Sequence, residues 1–116
     1  MAESANFSVF QGDSFILNIT YKDADGNPVD LTDYGIACEV RDSFGGKTSA
    51  AIATLGDGIE VDLENAIISI NFTPDKTKNF IVPKSVWQLQ VTYPDAVTKK
   101  TIAYGVLDVK KAAVSV

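Results

Sequence analysis

The sequence predicts an all-β domain made of two packed sheets, and three observations carry that prediction. Apolar residues recur at every second position along most of the chain, as they do where alternate side chains point to opposite faces of a strand. Clusters of Gly, Pro, Asn and Asp break these runs roughly every eight to twelve residues, the spacing of a sandwich or barrel. Beyond a single turn, no stretch shows the ~3.6-residue period of an amphipathic helix.

The elements follow in order. Phe7 to Phe10 is a first short run, closed by Gln11-Gly12-Asp13. Residues 14–21 place Phe15, Leu17, Ile19 and Tyr21 on one face and Asn18 and Thr20 on the other, a half-buried antiparallel strand. Asp23-Ala24-Asp25-Gly26-Asn27-Pro28 then turns the chain, residues 29–31 form a short extended piece, and Thr32-Asp33-Tyr34-Gly35 turns it again. Ile36, Cys38 and Val40 point inward from the next strand, followed by a flexible loop over residues 42–47. Residues 50–55 make a weaker strand because Ala fits a pleated surface poorly.

After Gly56-Asp57-Gly58, the sets Ile59, Val61, Leu63 and Ala66, Ile68, Ile70, Phe72 flank a turn at Glu64-Asn65 and read as a hairpin on one core face. Thr73 and Pro74 suit the cap and first position of a single helical turn. The cleanest alternation, Trp87, Leu89, Val91 and Tyr93 against Gln88, Gln90 and Thr92, marks a central strand with Trp87 buried. Residues 98–109 form the last long strand, in which Gly105 signals a bulge or a close backbone approach. Seven or eight short strands in about 100 residues suit an immunoglobulin-like antiparallel β-sandwich over residues 1–116. Residues 1–11 are either its first strand or an N-terminal arm, and residues 110–116 a tail.

Composition narrows the function. A formal net charge of −5 with scattered lysines points away from nucleic acid, whose phosphates need clustered cations. The absence of histidine removes the commonest general base and metal ligand together. The lone Cys38 closes no internal disulfide and, in its alternating run, reads as a small buried hydrophobe. Most aspartates fall in turns, where bonds to the local backbone account for them. Asp23-Ala24-Asp25-Gly26-Asn27 resembles a calcium loop only superficially, because its glycine comes fourth and Tyr34 stands where a bidentate glutamate belongs. No secretory signal opens the sequence and no apolar run of ~18 residues crosses a bilayer. The expectation is a chain that is not an enzyme, takes no cofactor, metal or small-molecule substrate, and binds neither nucleic acid nor membrane.

Gln11-Gly12-Asp13-Ser14-Phe15, then Asp25-Gly26-Asn27-Pro28-Val29-Asp30-Leu31-Thr32-Asp33-Tyr34, then Val40-Arg41-Asp42 together resemble the opening of a bacteriophage virion module. It is the module found at the N-terminus of baseplate upper proteins and in related tail-fibre and neck proteins. Gly58-Ile59, the turn over residues 73–79 and Gly105-Val106 extend the resemblance over most of residues 7–110. Gln11 departs from it, standing where such modules often carry arginine. The resemblance implies a virion structural protein, made in the host cytoplasm, that joins tail, baseplate or neck components through sheet edges and loops. Its partners would be other virion proteins, or copies of itself in a symmetric ring. The alternatives are a capsid decoration or cement protein, a host-binding adhesin that uses its loops, and an immunoglobulin-like module outside any phage. Phe7, Val9 and Phe10 at one end, and Val114 and Val116 at the other, are the expected partner-binding residues, because short apolar termini can complete a neighbour's sheet.

Overall fold

The computed structural model describes residues 3–46 and 48–111. Its strands are β1 (Glu3–Ser4), β2 (Phe7–Phe10), β3 (Phe15–Thr20), β4 (Gly35–Arg41), β5 (Ser49–Leu55), β6 (Gly58–Asp62), β7 (Ile67–Phe72), β8 (Lys84–Thr92) and β9 (Lys99–Lys110), with one helical turn, α1 (Pro74–Thr77). The fold is an all-β, immunoglobulin-like sandwich.

Pairing runs β1-β9-β8-β4-β5-β6-β7-β3, with β2 also on β9. Two layers therefore form from one continuous ladder, β2-β9-β8-β4-β5 facing β6-β7-β3. Among the described residues their ladders meet at the short parallel contact Thr54↔Gly58 and Leu55↔Ile59. Gly58 allows this corner, because its φ of 96° suits glycine and a Cβ there would lie 3.0 Å from the Ala53 Cβ. The sheet is not purely antiparallel. β1 and β2 run parallel to β9 in one register, from Glu3↔Ala103 to Phe10↔Lys110.

The alternating runs bury the expected faces. Ile36, Cys38 and Val40 of β4 and Trp87, Leu89 and Val91 of β8 are sealed in the core with Ile68, Ile70 and Phe72 of β7. Phe15, Phe72 and Phe80 pack as an aromatic cluster, with ring centroids 5.6–6.5 Å apart. Ile102 is the extra residue of a bulge between Gln90↔Thr101 and Leu89↔Ala103, so Ile102 and Ala103 both turn inward.

Local chemistry moves some details away from the sequence reading. Leu63 is 54% exposed, not inward. Asp62 Oδ1 accepts the Glu64 and Asn65 amides and starts the turn early, so Ala66, at φ 53°, reaches the core in its place. Thr73 does occupy the N-cap, but its side chain makes no capping bond. The buried hydroxyl that matters is that of Thr77, which accepts from the Gly12 amide and donates to the Asp13 carbonyl, tying α1 to the β2–β3 connection. Gly105 marks a close approach: a Cβ there would fall 1.6 Å from the Ala5 carbonyl oxygen. That same oxygen accepts the Trp87 indole N–H at 3.0 Å.

Candidate functional site

β1 and β2 lie along β9 within this chain's own sheet. The Phe7 ring packs 5.8 Å from Phe15 and 6.0 Å from Trp87, and Val9 is buried beside them. The Asn6 side chain accepts the Val106 amide where the β1–β2 line breaks, and the Ala5 amide donates to the Tyr104 carbonyl. Of the three N-terminal partner-binding candidates only Phe10 is exposed, at 47%, with the Lys110 ammonium 5.5 Å from its ring centre. Val114 and Val116 lie outside the described residues.

A different surface emerges where the two ends of the ladder meet. β2 leaves one layer, crosses at Gln11-Gly12-Asp13 and enters the other as β3, so these strands sit at opposite ends of the pairing order. Phe7 and Phe15 close the seam between them at one end. At the other, Ile19, Tyr21, Val29, Tyr34, Tyr93 and Ile102 line a cleft of about 590 Å³, with Lys22 and Lys100 also on its wall. The Tyr34 and Tyr93 rings lie 5.1 Å apart, tilted at 48° to each other. Burial, then hydrogen bonding with Tyr93, pushes the Tyr21 phenol up to about 12. Sequence reading placed Tyr21 and Tyr93 on inward faces but missed the seam, because only the spatial pairing order exposes it.

A second cleft, about 420 Å³, lies on the outer face of β4 and β8 under residues 43–46. Arg41 holds that loop, donating to the Gly46 carbonyl at 2.8 Å while pairing with Glu39 at 2.9 Å. Phe44 stands edge-on to Tyr104 at 6.0 Å, and both are exposed.

The turn aspartates are held by their own backbone. Asp23 Oδ1 accepts the Asp25 and Asn27 amides, so the calcium-like run is a turn. Hydrogen bonds from Thr32, Asn65 and Thr98 hold Asp30, Asp62 and Asp95 below the usual carboxylate range. Among the described residues no group of three acidic or cysteine side chains is placed to share a metal ion. Burial pushes the Cys38 thiol up to about 12, far from a reactive thiolate.

No family model matches the chain, and no curated protein matches it. Among solved structures it is similar to Drosophila OTK, extracellular domains 3–5, at 14% identity and a TM-score of 0.34, over 95% of this chain and 33% of that one. The chain thus spans about a third of that structure's length.

Proposed function

We propose that the chain is a non-enzymatic structural protein of a bacteriophage particle, joining tail, baseplate or neck components through its sheet edges and loops. The observation that carries this reading is the open end of the ladder at β3, a six-residue strand paired on one side only among the described residues. Such an edge presents main-chain donors and acceptors to a neighbour. The bacteriophage part rests on the turn and strand resemblance over residues 11–42. A second reading, capsid decoration or adhesion through loops, draws on the exposed Phe44 and Tyr104 beside the outer cleft.

Copy number tests both. Particles produced from the encoding genome are purified and the chain quantified per particle. Copies in three-, six- or twelvefold rings support the connector, whereas hundreds per particle support decoration of an icosahedral shell. A chain absent from purified particles overturns the virion assignment.

A further inference from the structure

β3 lacks the guards that edge strands ordinarily carry. Its six residues, Phe15-Ile16-Leu17-Asn18-Ile19-Thr20, include no charge, proline or glycine, and its ladder to β7 runs without a bulge. The Tyr21 amide donates to Ala66 on the β7 side. By the alternation of an antiparallel ladder, Ile19 and Leu17 also turn their main chain to β7, while Ile16, Asn18 and Thr20 turn theirs outward. Across the seam, the start of β9 bears no strand on its outer side until Ala103, among the described residues. The cleft between is of mixed polarity, with Ile19, Val29 and Ile102 set beside the rings of Tyr21, Tyr34 and Tyr93. Lys22 and Lys100, which also line it, have no ion-pair partner among the described residues, and the third charged residue of the lining, Asp23, turns its Oδ1 to the Asp25 and Asn27 amides of its own loop. Two free cations at one opening stand out on a chain of net charge −5.

We infer that the seam accepts an extended segment of a partner protein, added as a strand to the outer edge of β3. Its alternate apolar residues enter the tyrosine-lined cleft and its acidic residues meet Lys22 and Lys100. The inference rests on the reading of the chain as a connector and supplies the chemistry of what it connects to.

The test titrates two fluorescein-labelled peptides into the full chain, one alternating valine with glutamate and the other valine with lysine. Amide exchange is followed by NMR. The acidic peptide should bind saturably, about tenfold or more tighter than the basic one, and slow exchange at Ile16, Asn18 and Thr20. Asn18→Pro removes one outward N–H without touching the ladder to β7 and should abolish binding. Lys22→Glu with Lys100→Glu should reverse the preference between the peptides, and carries the test if the proline variant fails to fold. Equal binding of both peptides, no saturable binding, or slowed exchange elsewhere would overturn the inference. Particle assembly separates the two levels: if the wild-type chain enters particles and folded Asn18→Pro enters equally well, the seam proposal fails while the connector reading stands. If the wild type does not enter particles, the connector reading fails whatever the peptides do.

Discussion

Cys38 and Tyr21 share one behaviour, a proton held more tightly in the folded than in the unfolded chain. Burial is the first cause at each, since an apolar surround disfavours the anion. A folded-state pKa raised above the unfolded one contributes stability that is complete below the unfolded value and is lost as pH rises through the folded value. With unfolded values of 9.0 and 10.0 and folded values of about 12, the urea midpoint should hold below pH 9 and decline from there to pH 12. A thiol reagent at pH 8 should modify Cys38 only as fast as the domain opens. Trp87 and Gly105 make a second residue-scale prediction, because both serve the Ala5 carbonyl. Trp87→Ala should cost ~3–5 kcal/mol as a large core truncation. Gly105→Ala should cost about 1–3 kcal/mol by forcing Ala5 away. Urea unfolding measures both, and an unchanged midpoint for either would contradict the geometry.

At the scale of elements, what the sequence disclosed depended on how local the cause was. The alternation in β8 is complete within nine residues, and its inward positions Trp87, Leu89 and Val91 are sealed, while Tyr93, just past the end of the strand, is half-buried. The hairpin of β6 and β7 was equally legible, except that the Asp62 side chain ended the first strand one residue before the apolar pattern did. Gly105 was recognisable as a special position, while its cause, the Ala5 carbonyl 100 residues away in sequence, was not. The seam was invisible for the same reason: the apolar alternation of residues 15–20 says that a strand forms and which face is buried, but not that it ends the pairing order. Phe7 and Val9 pack into this chain's own core, and an apolar first strand reads alike in sequence whether it fills its own core or a neighbour's. Removing residues 1–10 therefore should not yield a stable domain lacking an arm. Loss of two packed side chains at about 1.5–3 kcal/mol each, with the β9 ladder bonds, should lower the denaturant midpoint sharply. A truncated domain as stable as the full chain would contradict the described packing.

At the scale of the whole molecule, a 44 × 26 × 23 Å sandwich is held closed by its first and last strands lying side by side. Circular dichroism should show a single weak minimum in the range of sheets, because among the described residues only Pro74–Thr77 is helical; a helical double minimum would contradict the fold. That closure has a mechanical side. Because β2 and β9 are parallel, the start of the first strand and the end of the last lie at opposite ends of their shared ladder. Tension applied through the two ends of the chain slides one strand along the other and strains all their hydrogen bonds together, where an antiparallel pair would be peeled apart one bond at a time. Pulled in this way, a single molecule should resist extension until it ruptures in one event at high force. Gradual lengthening at low force would show that β2 is not the latch, and only a latch of this kind would let a small sandwich transmit a pull between its neighbours.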